Sequence, residues 1–381
     1  MTIKYTITNT VDSETWNNEL QKNDYATFFQ TAEYLTFESN MGEKIPFYIT
    51  IQNEDKIILG QLGLFVIKSA VAYSSSNFQQ LLNKFAQLGR KALWAGGPII
   101  HTKNKDEKQQ VIKLIIYALN DIAKKNNLAL ISGYTPHQDF SINSEYLNEF
   151  TNSGYAIEKF FTFATDLTQD KEKIWNSIQN STRRDVTRSE KKGIIVKELE
   201  NLDELKKYFL LNQAWAKTKG IETSISDIQI DSYWKYYKSG KEKIFLAYND
   251  DELVSSHRLG CFNGIIYSHK LVSSYSKPAS ISGPLLVWKA IEWAKEKGMK
   301  FYDYSGGMAP TNDPKKKSKY EEQWGSLLAF KRKWGGGEYP YYQLIKVTKP
   351  NSYKMFRVLS KPDWIYRNFK KKKYTRPTKT N

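Results

Sequence analysis

Cysteine is nearly absent from this sequence: Cys261 is the single one among 381 residues. An intrachain disulfide is therefore excluded, as is a cysteine cluster holding zinc or an iron–sulfur centre, and a reducing compartment fits best. Histidine is almost as scarce. His101, His137, His257 and His269 are the full set, without an HxxxH or HExxH spacing, so a histidine zinc site has no support. No serine stands in a GxSxG elbow, which removes the usual signature of a Ser-His-Asp hydrolase. Long apolar runs are missing too. The greasiest stretch, Ile57 to Ile67, is broken by glycines and Gln61 and falls short of the roughly 18 residues a spanning helix needs. Met1 to Thr10 has neither the apolar region nor the small-residue cleavage site of a secretory signal, so a cytoplasmic location is expected.

Charge of one sign is plentiful: 57 Lys and Arg face 40 Asp and Glu, a formal net charge of +17 that draws polyanions. Aromatic residues reach 14%, well suited to a large binding cleft as well as to a core. Apolar residues at 40% and charged residues at 25% are ordinary globular values, and the length predicts about two domains.

An internal echo supports two domains. Phe47 to Ile51 reads as a strand, Asn53-Glu54-Asp55 as a turn and Lys56 to Phe65 as a second strand. Ile244 to Tyr248, Asn249-Asp250-Asp251 and Glu252 to Phe262 repeat that hairpin. Downstream, Gln109 to Lys125 is an amphipathic helix before the apolar strand Leu128 to Ile131. Pro284 to Lys297 is its counterpart, ended by Gly298 before the strand Met299 to Tyr304. Each half is thus expected to be an α/β domain with a mixed sheet flanked by helices. The expected division is 1–153, 154–348 and a basic aromatic tail, 349–381.

Several segments resemble the Fem family of peptidoglycan aminoacyl transferases. Phe29-Gln30-Thr31-Ala32-Glu33-Tyr34 is similar to that family's early motif. Ile174-Trp175, then Ser181-Thr182-Arg183-Arg184-Asp185-Val186 and Glu190 to Ile194, is similar to its helix, arginine-containing helix and glycine. The fullest match joins Pro284 to Trp288, Tyr302-Asp303-Tyr304-Ser305-Gly306-Gly307 and Leu328-Ala329-Phe330-Lys331-Arg332-Lys333-Trp334-Gly335-Gly336. The resemblance covers most of the chain and implies two tandem GNAT-like (N-acyltransferase) domains. It implies an acyltransferase moving an activated group, from aminoacyl-tRNA, onto an amine of a nucleotide- or lipid-linked cell-envelope precursor, with no further cofactor. Two departures are visible: the long helical arm of some members is absent, and Glu38 stands where some carry a phosphate-contacting lysine. Acyl-coenzyme A is the alternative donor, although Ser280-Ile281-Ser282-Gly283-Pro284 lacks the paired glycines of a coenzyme A pyrophosphate loop.

Acyl transfer to an amine needs positioning, deprotonation and stabilisation of developing negative charge. By the resemblance, Phe330-Lys331 sits where the family places a catalytically important lysine; a solvated basic turn is the other reading. Asp303, at a strand end opening into a glycine-rich loop, reads either as a base or orienting acid or as a cap of that loop. His257 reads as a proton acceptor or as a structural histidine, with Arg258, Tyr304 and Trp334 as candidate substrate contacts. Arg183, Arg184 and Arg188 on one helix would draw phosphates, or form a solvated face balanced by Asp185 and Glu190.

The C-terminal stretch carries aromatic residues from Tyr353 to Phe369 followed by the lysine cluster Lys370 to Lys373. It reads as a segment resting on an anionic membrane, as an RNA contact, or as a solubilising end. A nucleic-acid-binding module remains the rival from another class, without helix-turn-helix, RNP or zinc-finger patterns. A non-catalytic member that recognises a polysaccharide precursor is the third reading.

Overall fold

The structure, a computed structural model of the chain, describes residues 2–67, 86–137, 142, 144–218, 221, 223–274, 279–308 and 325–359. The chain runs β1 (Lys4–Thr8), α1 (Ser13–Gln21), α2 (Ala32–Asn40), β2 (Lys44–Gln52), β3 (Ile58–Ile67), β4 (Lys91–Trp94), β5 (Ile99–Ile100), α3 (Lys105–Lys125), β6 (Leu130–Tyr134), α4 (Ser144–Asn152) and β7 (Ala156–Asp166). There follow α5 (Lys171–Ser177), α6 (Asn180–Lys191), β8 (Ile194–Glu198), α7 (Leu202–Thr218), α8 (Asp227–Tyr237), β9 (Glu242–Asn249), β10 (Glu252–Phe262) and β11 (Ile265–Ser273). The last elements are α9 (Ala279–Glu296), β12 (Phe301–Met308), α10 (described over 325–332), β13 (Gly337–Val347) and α11 (Pro350–Leu359).

The chain divides into two units. In the first, the sheet order is β1-β2-β3-β4-β6-β13. Its pairs are antiparallel from β1 to β4, parallel between β4 and β6, and antiparallel between β6 and β13. Asn104 caps α3 by accepting from the Glu107 N–H at 3.0 Å, with Asp106 and Glu107 in the first turn and Lys124 and Lys125 in the last, matching the helix dipole. Val111, Ile115, Ile116, Leu119 and Ile122 recur on one face of α3 and are buried in a core with Ile49, Ile51, Leu62 and Leu64 of the hairpin. Each such side chain contributes about 1.5–3 kcal/mol by leaving water.

The second unit repeats the plan. Its order is β8-β9-β10-β11-β12-β7, with antiparallel pairs from β8 to β11 and a parallel pair between β11 and β12. Leu285, Leu286, Ile291 and Ala294 of α9 are buried with Phe245, Val254 and Ile266 of the sheet. Gly298, at a φ of +70°, ends the turn after α9, a conformation natural to glycine. The repeated hairpin, helix and strand are therefore present in both halves, and the fold is the expected pair of α/β units with mixed sheets and flanking helices.

The division differs from the expected one. The first unit extends to Phe160 and takes back the stretch from Pro340. The reason is backbone pairing: Gln343 to Val347 stand in antiparallel register with Tyr134 to Leu130, and Leu344 is buried in the first core. The stretch after 348 also departs from a plain tail, because 350–359 form α11, whose Phe356 ring lies where a side chain on Gly89 would clash. Lys370 to Lys373 lie outside the described residues. Among the described residues, no helix is long and apolar enough to cross a membrane.

Candidate functional site

Strand β12 and helix α10 build the site in the second unit. Along β12 the strand alternation puts Tyr302 and Tyr304 among the core residues and Asp303 off that face, all three buried. Ser305, inside β12, has a φ of +62°, and the strand runs on through Gly306 and Gly307 to Met308, so Asp303 does not stand at a strand end opening into a glycine-rich loop as the sequence suggested. The Ser305 N–H donates to Asp303 Oδ1 at 2.6 Å and the Ser305 hydroxyl donates to the Ser268 carbonyl at 2.6 Å. The Thr162 hydroxyl of β7 donates to the same Asp303 oxygen.

Lys331 reaches this part of β12 from α10. Its Nζ donates to the Ser305 carbonyl at 2.8 Å and the Gly306 carbonyl at 3.0 Å. The side chain is only 7% exposed. Burial pushes its ammonium down from the usual lysine value to about 8, while the Asp303 carboxylate works in the opposite direction. Gly335 and Gly336, just past α10, let the chain pass close by: a Cβ would meet the Ser177 carbonyl oxygen at 2.4 Å or the Ala164 carbonyl oxygen at 2.5 Å. Phe330 is partly buried, its ring edge-on to Trp334 at 6.1 Å.

Other expected site residues are placed differently. Trp334 is 0% and Tyr304 3% exposed; their rings stack at 6.1 Å, and the Tyr304 hydroxyl meets Thr165 Oγ1 at 2.7 Å. Both are core residues, so the expected substrate contacts have no surface on which to form. His257 is also fully buried, with Nε2 at 2.9 Å from Ser268 Oγ and 3.4 Å from the Tyr302 hydroxyl. Burial lowers its pKa to about 3, so near neutral pH it is an uncharged structural histidine and not the proton acceptor considered from sequence. Arg258 pairs with buried Glu242 at 3.0 Å and donates to His269, while Tyr233 donates to the other Glu242 oxygen. The guanidinium thus neutralises a buried carboxylate, and leaving either charge alone would be costly.

Helix α6 buries Thr182, Val186 and Ser189 and turns Arg184, Thr187, Arg188 and Lys191 outward. These residues, with Trp175, Asn180, Arg183 and Lys192, line an open basin of about 780 Å³. Arg183 is held to Asn176 at 2.9 Å and to Asn180. Glu190 turns to Lys289 at 3.1 Å and does not balance this face. Among the described residues, no three His, Cys, Asp or Glu side chains stand together as a metal site.

No protein-family model matches the sequence, and no curated protein is significantly similar to it. Solved structures are more informative. The crystal structure of FemX superposes with a TM-score of 0.66 at 14% identity, covering 92% of this chain and 99% of that one. The fold is the one seen in FemX. A C-terminal domain of a putative lysylphosphatidylglycerol synthetase from Agrobacterium fabrum matches with a TM-score of 0.54 at 13% identity, over 90% of this chain and 96% of that one. L-PGS from Bacillus licheniformis matches at 0.53 and 15% identity, over 91% and 95%. These likenesses establish the architecture on which the residues above are arranged, the tandem GNAT-like fold expected from the resemblance.

The stretch Phe29 to Tyr34, singled out in the sequence, has a visible structural task in the first unit. Gln30 is fully buried: its amide donates to the Ala95 carbonyl at 2.7 Å and its Oε1 accepts from the Gly63 N–H at 2.7 Å. Thr31 caps α2. Phe29 and Tyr34 line a pocket of about 400 Å³, where Glu38 pairs with Lys44. Sequence reasoning missed Thr162, Ser268, Ser305 and Glu242 as partners of the candidate residues. Thr162 lies 141 positions from Asp303, and no local pattern announces such a pair. Ser305 had a local signal, since it stands directly before two glycines within the β12 stretch.

Proposed function

We propose that the protein is an aminoacyl transferase that moves an activated aminoacyl group from aminoacyl-tRNA to an amine of a nucleotide- or lipid-linked envelope precursor. The observation that carries this reading is Lys331: a buried ammonium held by the Ser305 and Gly306 carbonyls of β12, with a pKa of about 8. The amine nitrogen attacks the ester carbonyl carbon, the carbonyl oxygen takes the electron pair, and collapse expels the ribose oxygen. The proton lost by the amine balances the one gained by that oxygen. A fixed cation stabilises both oxygens as they become negative, and a lysine poised near 8 can give its proton to the leaving oxygen and regain it. No cofactor beyond the donor is required.

Two features support the finer parts. The open basic basin along α6 suits the phosphates of a tRNA donor. One structural neighbour is named a putative lysylphosphatidylglycerol synthetase, a name that joins an aminoacyl group to a lipid. The test is a mass-spectrometric transfer assay in which charged tRNA or acyl-coenzyme A is offered with amine-bearing precursors. Transfer from charged tRNA is expected, with Lys331→Ala reducing kcat by about 100-fold or more. Because the ammonium form is lost as pH rises, the wild-type rate should fall above about 8. A folded Lys331→Ala protein with the wild-type rate would overturn the reading, and transfer from acyl-coenzyme A alone would replace the donor.

A further inference from the structure

We propose that Asp303 is a positioning residue for Lys331 and not a proton acceptor for substrate: its carboxylate fixes the left-handed backbone at Ser305, which sets the Ser305 and Gly306 carbonyls that hold the ammonium. The proposal rests on Lys331 being the charge-stabilising group of the transfer reaction. A general base must come within about 2.6–3.2 Å of the proton it takes. Asp303 is 0% exposed and its Oδ1 receives both the Thr162 hydroxyl and the Ser305 N–H, so the carboxylate is shut off from solvent and this oxygen is taken up by inward bonds.

The conformation it fixes is an uncommon one. A side-chain-bearing residue at φ +62° is disfavoured and persists where its surroundings hold it. Here the Ser305 N–H is held by Asp303, its hydroxyl by the Ser268 carbonyl and its carbonyl by Lys331. With the chain turned this way, the Ser305 and Gly306 carbonyls both lie within 3.0 Å of Nζ. Without the Asp303 oxygen, the Ser305 N–H loses its acceptor and the backbone can relax, taking both carbonyls from the ammonium.

The electrostatics point the same way. Asp303 of β12 is the charged group acting on Lys331, and it opposes the effect of burial. Among the described residues, the other titratable groups that feel this carboxylate are Tyr267 of β11, Tyr302 and Tyr304 of β12 and Tyr339 of β13, whose raised pKa values keep them neutral throughout the relevant range.

Asp303→Asn keeps the side-chain shape and removes the charge. In the full chain, titration of the Lys331 Nζ resonance by NMR should show its pKa falling by about 1–3 units in this variant, whose amide oxygen can still accept from the Ser305 N–H, while Asp303→Ala, which removes that acceptor, should speed exchange of the Ser305 amide proton. In Asp303→Asn the alkaline limb of the transfer rate should shift down by the same amount, with KM unchanged and most activity retained at the acidic end. An unchanged Lys331 titration, or activity lost equally at every pH, would overturn the proposal. Should Asp303→Asn not fold, Asp303→Glu keeps the charge on a longer arm: Lys331 should titrate near its wild-type value while the Ser305 amide exchanges faster, and unaltered exchange counts against the proposal. If the wild type transfers nothing from any donor, the transferase reading fails, and the titration and exchange still decide the role of Asp303.

Discussion

At the scale of single residues, burial decides which candidates can do chemistry at neutral pH. Lys331 and His257 are both buried cations by type, yet their surroundings separate them. The lysine has two carbonyl acceptors and a carboxylate beside them, which preserve the ammonium to about 8. The histidine has Ser268 and Tyr302 as partners and falls to about 3, so the folded protein holds it neutral. Its folded pKa lies below the unfolded value of about 6.5, so its stabilising effect is complete above that value and is lost as pH falls toward 3. Replacing His257 by Gln should therefore flatten the acid side of the stability curve. Between pH 6 and 4, urea unfolding of the wild type should lose about 1.4 kcal/mol per pH unit more than the variant. Equal slopes for the two proteins would show that His257 does not stay neutral in the folded state. The sequence alone left His257 open between two readings, because strand alternation says which face a residue is on but not what covers that face.

At the scale of elements, hairpins and long helices were the legible parts. Asn53-Glu54-Asp55 and Asn249-Asp250-Asp251 marked both turns, and the apolar spacing from Val111 to Ile122 marked α3, since these signals are local and periodic. Helix α6 was legible as a helix carrying Arg183, Arg184 and Arg188, and the structure adds its facing, with Thr182, Val186 and Ser189 inward and Arg184, Arg188 and Lys191 outward. Residues four apart rise about 6 Å along a helix, so the outward cations form a continuous charged ridge. If that ridge holds the phosphates of the donor, changing both Arg184 and Arg188 to Gln removes two phosphate contacts. The slope of log affinity against log salt for tRNA should then become shallower by about 1.4–1.8. Filter binding across a salt series measures it, and an unchanged slope would place the RNA elsewhere. The contacts of Asp303 were not legible, because Thr162 reaches it from β7 across most of a unit's length of sequence.

At the scale of the whole molecule, the expected boundary missed the return of the chain to the first unit. The reason is physical: Tyr341-Tyr342-Gln343-Leu344-Ile345 reads as an ordinary strand, and nothing in its own pattern says which sheet it completes. The register with β6 answers that, together with Leu344 at 0% exposure in the first core and the Thr348 N–H donating to the Ala129 carbonyl at 3.0 Å. A cavity made at Leu344 is therefore a lesion of the N-terminal unit, although the residue lies 210 positions or more after the strand it pairs with. Leu344→Ala should cost about 2–5 kcal/mol. Hydrogen exchange should locate that loss in β3, β4 and β6, with the amides of β9, β10 and β11 keeping their wild-type protection. Loss of protection confined to β9 through β12 would instead mean that the C-terminal strand serves the second unit.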